Sequence, residues 1–291
     1  MKTKILWGLV LGSLMVGSAG AVRLRYNDQP GTKVSYKVGL AATGIIYALD
    51  TQIPLQFKGT SGYEYEVVSV SPQGHITTRI RTLPFQVQSN NQPLPPNALP
   101  QIPPLLVTID RQGKVLRVRA EGTAPPSTLP AGLSFKYDDV LSQMSSLTFP
   151  QRDLKVGDTW ENTVTVSLPR GGSLRVTARS KLEGFQTVAG RRCAVIRTQV
   201  TLPLTLAFGI AGQQAQQAVP LTGKTTGRMT GEIVSYFSLE EGLLQQSASE
   251  MRLEMTMSGP SGGPGSRPVS VRAVATVRTH ITRQPAAPEG G

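Results

Sequence analysis

A two-residue alternation of apolar and polar side chains constrains this 291-residue chain more than any other feature of its sequence. It is clearest at Met251, Leu253, Met255 and Met257, which alternate with charged and hydroxyl residues. Four further segments show the same rhythm, at residues 76–81, 115–119, 174–179 and 269–278. Successive side chains on a strand point to opposite faces, whereas helical side chains repeat about every 3.6 residues. The alternation therefore predicts a mainly β protein whose strands have one dry face and one wet face.

Turn signals separate these segments where antiparallel hairpins need them. Residues 71–74, 110–113, 170–172 and 240–242 each combine polar residues with a glycine, which accepts the positive φ that tight turns require. The chain also has two similar openings, at residues 31–36 and 157–162, which suggest an internal duplication.

The duplication predicts two related halves. Each half would be a curved antiparallel sheet whose dry face needs cover, and packing the two faces together would bury both. We therefore expect two related curved antiparallel sheets, half-barrel or sandwich-like, with one or two short helices. The first half spans residues 22–148, the second spans 149–283, and residues 284–291 form a disordered tail.

Two stretches interrupt the strand pattern. Residues 89–104 contain six prolines, which cannot donate to a β ladder, and they predict an extended loop. Residues 137–147 predict a short helix, with Asp138 or Asp139 as its N-cap and with apolar residues at helical spacing behind it. Residues 212–219 are a second candidate helix.

The N-terminus has the three parts of a secretory signal peptide. Lys2 and Lys4 precede an apolar run at residues 5–16, and small residues follow up to Ala21. We expect cleavage between Ala21 and Val22, and no cysteine follows that would make the product a lipoprotein. The apolar run is shorter than the roughly twenty residues that a membrane span needs, and no later segment is longer. The sequence predicts a secreted or periplasmic protein with no transmembrane segment in the mature chain.

The net charge of the chain and its predicted export together limit the classes of partner that it can bind. The formal net charge is +12, and removing Lys2 and Lys4 with the signal leaves +10. Such a field attracts anionic envelope polymers or membrane surfaces. Export and the absence of aromatic residues among the basic ones argue against specific nucleic-acid binding. The candidates for an anionic partner are the arginines of the wet faces: Arg79, Arg81, Arg117, Arg119, Arg175 and Arg179.

No catalytic, metal or cofactor constellation is present in the sequence. His75 and His280 have no partner at ligand spacing, and the single Cys193 begins an apolar run, where burial as a small hydrophobe explains it. Ser261 lies in a Gly-x-Ser-x-Gly pattern, but a Gly/Pro/Ser loop surrounds it and no helix follows, as a nucleophile elbow requires. We expect a protein that is not an enzyme and has no cofactor.

The segment Leu154-Lys155-Val156-Gly157-Asp158-Thr159-Trp160 resembles the central V-K-V-G-D-T-W motif of an uncharacterised family of secreted bacterial β-repeat proteins. Residues 190–196 and 227–242 are similar to that family too. The resemblance implies an envelope or secreted protein with two β halves and no assigned activity, and it supplies no catalytic residues. The layout also resembles, at the level of the fold alone, the half-barrels of lipoprotein carriers.

Two functions remain open from the sequence. The first is an exported, non-enzymatic protein that binds an apolar, lipid-like ligand or an anionic one. The apolar candidates are Met251, Leu253, Met255 and Met257, although ordinary core packing is the simpler interpretation of that stripe. The alternative is a structural or interaction module that contacts an envelope protein partner and has no ligand pocket.

Overall fold

The computed structural model describes residues 20–48, 51–93, 103–122, 147–167, 173–210, 221–259 and 269–285. This part of the chain contains strands, turns and irregular segments, and none of its residues is helical. The predicted helices lie almost entirely at residues 137–146 and 211–220, which are outside the described residues. The segments 286–291 and 1–19 are outside them as well.

The described residues form thirteen strands. The alternating segments of the sequence all lie in strands, so the prediction of a mainly β protein is confirmed. The strands are β1 (Lys33–Ala48), β2 (Thr51–Val70), β3 (Ile76–Thr82), β4 (Gln86–Ser89), β5 (Gln92–Pro93), β6 (Leu105–Ile109), β7 (Val115–Ala120), β8 (Thr159–Ser167), β9 (Ser173–Val188), β10 (Arg191–Ile210), β11 (Leu221–Ser238), β12 (Leu244–Gly259) and β13 (Val269–Arg283).

All thirteen strands belong to one antiparallel sheet. Its order is β7-β6-β3-β2-β1-β13-β12-β11-β10-β9-β8, and the short β4 and β5 pair beside β2. The prediction of two separate sheets is wrong, because β1 pairs with β13 from Tyr36 opposite Arg283 to Ala48 opposite Val271. The two halves therefore join side by side through backbone hydrogen bonds. Among the described residues β7 and β8 do not pair with each other, so the sheet is open.

The predicted turns form where the structure describes them. In the turn between β6 and β7, Gly113 has a φ of 86° and its N–H donates to the carbonyl of Asp110 at 3.0 Å. The proline-rich stretch differs from the prediction at its start. Asn90 and Asn91 adopt positive φ values, and this tight turn lets Gln92–Pro93 pair with β4 as a two-residue strand.

Buried side chains concentrate at one end of one face of the sheet. On β1, Val34 and Tyr36 are buried while Lys33, Ser35 and Lys37 are exposed; we call the face of Val34 the inner face and the opposite one the outer face. Three clusters of buried residues pack on the inner face, near the end where β1 begins. We call this end of the sheet the packed end.

An N-terminal segment, residues 22–28, crosses the packed end. Val22 exchanges two backbone hydrogen bonds with Leu154, at 2.8 and 2.7 Å, and Leu24 is 1% exposed within the first cluster. The ring of Tyr26 stacks on Phe149 and packs on both the first and the second cluster. This segment therefore ties the β8 side of the open sheet to the β7 side.

Candidate ligand-binding face

The predicted methionine stripe lies at the centre of an apolar surface on the inner face. Residues that are opposite each other in neighbouring strands share a face. Away from a bulge at Tyr236–Phe237 on β11, the strand register is regular from β10 through β11, β12, β13 and β1 to β2. Three rows cross these strands and contain only apolar residues and glycine; we call them the apolar rows. The first is Ala178, Val200, Gly231, Met251, Val277, Ala42 and Phe57; the second is Leu202, Met229, Leu253, Ala275, Gly44 and Leu55; the third is Leu204, Gly227, Met255, Ala273, Ile46 and Ile53.

The apolar rows lie outside the three packed clusters. None of their residues belongs to the three buried clusters of the described chain. Met251, Leu253, Met255 and Met257 are each only partly buried, and Ile53 at the β2 end is 46% exposed. Four members are buried: Val200 is 9% exposed, Leu202 is 6% exposed, and Ala273 and Ala275 are each 7% exposed. The rows therefore combine buried members with longer side chains that keep part of their surface accessible.

Two glycines on β11 give the methionines room. A Cβ on Gly231 would lie 2.6 Å from the Sδ of Met251, and a Cβ on Gly227 would lie 2.9 Å from the Cβ of Met255. Both distances are shorter than real Cβ contacts. The unbranched methionine side chains therefore extend over glycine, where their flexible thioethers adapt to an irregular neighbour.

The apolar rows cover a continuous area of the inner face. From Met251 to Met255 the strand rises about 14 Å, and six strands spaced about 4.8 Å apart span about 24 Å. The rows therefore occupy a footprint of roughly 330 Å², of which the partly buried side chains keep a share accessible, and exposed apolar patches of a few hundred Å² often mark binding sites.

A band of hydroxyl side chains separates the apolar rows from the packed end. Two further rows cross the same strands, and hydroxyl residues occupy most of the positions on β9 to β13; we call them the hydroxyl rows. Ser180 and Thr198 are bonded at 2.9 Å, and Ser235 and Ser247 at 3.2 Å. The hydroxyl residues of the band are Ser61, Ser180, Thr198, Ser235, Ser247, Ser249 and Thr279.

The six predicted arginines all lie on the outer face, but the structure does not bring them together. Arg79, Arg81, Arg117 and Arg119 are on β3 and β7, whereas Arg175 and Arg179 are on β9. Six strands stand between β3 and β9 in the sheet. At about 4.8 Å per strand the two groups are some 30 Å apart along the sheet, so they form two separate patches.

Ion pairs within the protein occupy half of these arginines. Arg79 contacts Glu66 at 2.8 Å and Glu121 at 3.0 Å, and its hydrogen bonds hold the pKa of both carboxyl groups below their ordinary values. Arg81 pairs with Glu64 at 3.5 Å, and Arg179 pairs with Glu161 at 3.0 Å. Arg117, Arg119 and Arg175 have no ion pair within 4 Å among the described residues.

The outer face carries a feature that sequence analysis missed. A hollow of about 1480 Å³ extends over β4, β2, β1, β13, β12 and β11, and on the five long strands most of its lining residues belong to the outer face. Gly39, Ala41 and Ala248 form its floor, and Lys58 and the Arg278–Glu250 ion pair, at 2.7 Å, stand around it. The sequence signal for this hollow is the presence of small residues at these three outer-face positions.

The remaining candidate residues of the sequence lie apart from one another in the described part of the chain. No group of three or more histidine, cysteine or carboxylate side chains there could hold a metal ion. His280 contacts Thr282 at 2.8 Å, and Ser261 lies outside the described residues. Cys193 is fully buried, as predicted. The described residues also contain no helix long and apolar enough to cross a membrane.

The geometry defines an open antiparallel sheet with a charged outer face and with an inner face that is uncharged across the apolar and hydroxyl rows. No family model matches the chain, and no curated protein matches it. One solved structure, a DUF1329 family protein from Desulfovibrio piger ATCC 29098, is similar to this chain at a TM-score of 0.15 and 9% sequence identity, with 88% of each chain covered. A TM-score of this size supports no inference about fold or function.

Proposed function

We propose that the protein is exported, that its sheet curves as a half-barrel, and that it binds an elongated apolar molecule such as a lipid acyl chain on its inner face. The observation that carries this proposal is the register of the three apolar rows. They place methionine, leucine, valine and isoleucine side chains side by side over six strands, outside the three core clusters. No enzymatic activity is part of the proposal.

The dimensions and chemistry of the rows suit an acyl chain. Burying a methylene group contributes about 0.8 kcal/mol, so a chain that lies across the six strands, over about 24 Å, gains burial energy along its whole length. Methionine-rich surfaces accept flexible ligands because the unbranched thioether adopts many shapes at little cost. The outer face of the same strands carries ion pairs such as Arg252–Glu254, at 2.7 Å, and stays in water.

Export is supported by the N-terminal sequence. The described chain begins its packing at Val22, directly after the expected cleavage site, and Gly20 and Ala21 are exposed. The resemblance of residues 154–160 to secreted bacterial β proteins is consistent with the same compartment. We therefore propose the periplasm or the cell exterior as the place of function, with envelope lipid as the ligand source.

The test is lipid co-purification and probe uptake. Organic extraction of protein purified from its native host, followed by mass spectrometry, should yield acyl lipid. The delipidated protein should take up a fluorescent fatty-acyl probe, and Leu253→Arg, at the centre of the second row, should reduce that uptake at least tenfold. Thr256→Arg is the matched control, because Thr256 lies on the outer face of the same strand.

A folded variant is required for this test. If Leu253→Arg lowers the melting temperature, the milder Met255→Gln should still weaken probe uptake while leaving the circular dichroism spectrum unchanged. Uptake that neither variant alters, or wild-type protein that binds no probe and carries no lipid, would contradict the proposal.

The four buried members of the apolar rows favour a second candidate function. Val200, Leu202, Ala273 and Ala275 are each no more than 9% exposed, as expected for a filled interior. A structural or interaction module of an envelope complex fits this observation. Cross-linking in cells would then capture a protein partner, and the protein purified from those cells would carry no lipid.

A further inference from the structure

We infer that the inner face is selective for uncharged acyl lipids, which carry hydroxyl or ester groups, over fatty-acid anions. This inference rests on the proposed function and specifies its ligand class. Two observations carry it: the hydroxyl rows beside the apolar rows, and the distribution of charge between the two faces of the sheet.

The hydroxyl rows place hydrogen-bonding groups at one end of the apolar surface. The row next to Met251 contains Ser249 and Thr279, which are opposite each other on β12 and β13. Both side chains are partly buried, and neither hydroxyl has a hydrogen-bond partner among the described residues. A hydroxyl group both donates and accepts, so these two can bind a ligand alcohol or an ester carbonyl.

No charged side chain lies in the apolar rows or in the hydroxyl rows. On these strands the charged residues point to the outer face, among them Lys58, Arg228, Glu232 and Arg278, which lie opposite other outer-face residues in the register. The nearest inner-face cation is Arg283, one row beyond the hydroxyl rows. Glu241 already pairs with its guanidinium group.

An anionic headgroup would therefore meet no free cation on this surface. Removing a carboxylate from water without a partner is far more costly than removing a hydroxyl group that gains a hydrogen bond. The acyl tail gains the same burial in both cases, so the headgroup decides the preference. The face should bind a glycerol ester more tightly than the free acid of the same chain.

The experiment compares two ligands that share one tail. Palmitic acid and its glycerol monoester are titrated into delipidated full-length mature protein at neutral pH, below the critical micelle concentration of each, by isothermal titration calorimetry. We expect the ester to bind at least about tenfold more tightly than the ionised acid.

A designed cation should reverse this order. Thr279→Lys places an ammonium group in the hydroxyl row beside Met251, where it can pair with a carboxylate, and we expect the variant to prefer the acid. His280→Lys is the matched control, because it adds the same charge one residue away on the exposed outer face and should leave the preference unchanged.

A second variant covers the case in which Thr279→Lys fails to fold. Ser249→Ala with Thr279→Val keeps the size of the side chains while removing both hydroxyl groups, and it should reduce the advantage of the ester. Equal or tighter binding of the acid by wild-type protein would overturn the inference and leave the proposed function standing. Binding of neither ligand would instead remove the proposed function itself.

Discussion

Gly113 shows how strongly one residue can be fixed by its surroundings. It has a positive φ, and a Cβ at this position would overlap the carbonyl oxygen of Leu147 and the ring of Tyr26. Neither neighbour can move, because Leu147 O accepts the Tyr26 hydroxyl hydrogen bond at 3.0 Å and Tyr26 packs in the core. The turn between β6 and β7 therefore packs directly against the N-terminal segment, with no room for a larger residue at position 113.

We expect Gly113→Ala to lower the free energy of unfolding by about 3 kcal/mol or more, measured by urea denaturation. Gly122→Ala is the control, because Gly122 has almost the same φ, +85°, and no atom of the described residues lies within 4 Å of an added Cβ. Gly122→Ala should lower the free energy of unfolding through backbone strain alone, by about 1–2 kcal/mol. Equal losses in the two variants would show that the contact with Leu147 and Tyr26 is not what restricts Gly113.

At the packed end, two arginines and a glutamine bind the carboxylate of Glu241. Burial raises its pKa, but hydrogen bonds from Arg283 and Arg191 outweigh that effect and hold the pKa below the ordinary value of a glutamate. Gln245 donates a further bond to the same carboxylate at 3.0 Å. Since the pKa is lower in the folded state, this carboxylate stabilises the fold above its unfolded pKa of about 4, and that contribution is lost as the pH falls through the folded pKa.

Glu241→Gln should therefore lower the free energy of unfolding at neutral pH by about 1–3 kcal/mol and flatten its decline below about pH 4. Thermal melts across a pH series measure both effects. Glu254→Gln is the control, because Glu254 pairs with Arg252 at an exposed site where an ion pair contributes at most about 1 kcal/mol. A mutant curve parallel to that of the wild type would rule out a role for Glu241 in the acid limb.

Among the structural elements, the N-terminal segment 22–28 has contacts unlike those of a terminal tail. Its backbone bonds to three separate parts of the packed end: Val22 to Leu154, Tyr26 N–H to Arg111 O at 2.9 Å, and Asn27 N–H to Gly242 O at 3.0 Å. Leu24 packs with Leu154, Leu182, Phe237 and others in the first cluster. The segment acts as a clamp that holds turns from both halves.

We expect Leu24→Ala to cost about 2–5 kcal/mol of unfolding free energy, because it removes a fully buried side chain and leaves a cavity. Arg25→Ala, at the next and exposed position, should change it by less than about 0.5 kcal/mol. Chemical denaturation of the mature chain measures both. A small loss for Leu24→Ala would mean that the segment lies on the core without contributing to it.

The sequence is enough to predict which side chains share a face of each strand, but not which strands lie next to each other in the sheet. Alternation at Met251 to Met257 correctly separated the inner from the outer side, because side-chain direction follows from local backbone geometry. The pairing of β1 with β13 joins residues more than 200 positions apart, and no local pattern records it. For the same reason the ion pairs of Arg79 and Arg81 with carboxylates on neighbouring strands were not foreseen, and the hydroxyl rows were seen only as scattered serines and threonines.

For the whole molecule, this pairing decides whether the two halves behave as one unit. They share a continuous backbone ladder across β1 and β13, and Tyr26 from the N-terminal segment packs on clusters in both. Two such connections make independent unfolding unfavourable, because releasing one half would expose apolar surface on the other. We therefore expect the halves on either side of residue 148 to unfold together and not as two independent units.

We expect one cooperative urea transition for the mature chain. Trp160 reports on the second half, because it is the only tryptophan after residue 21 and its indole N–H donates to Thr148 O at 2.8 Å within the packed end. Pulsed amide hydrogen exchange on peptides from β2 reports on the first half. Both probes should give the same midpoint in the wild type.

Gly44→Val, whose side chain would overlap Val274 and Ala275 across the β1–β13 pair, should lower that midpoint or separate the two curves. Thr43→Val, at the neighbouring exposed position on β1, is the control and should leave a single transition. Separate midpoints in the wild-type protein would show that the halves are independent domains despite their shared sheet.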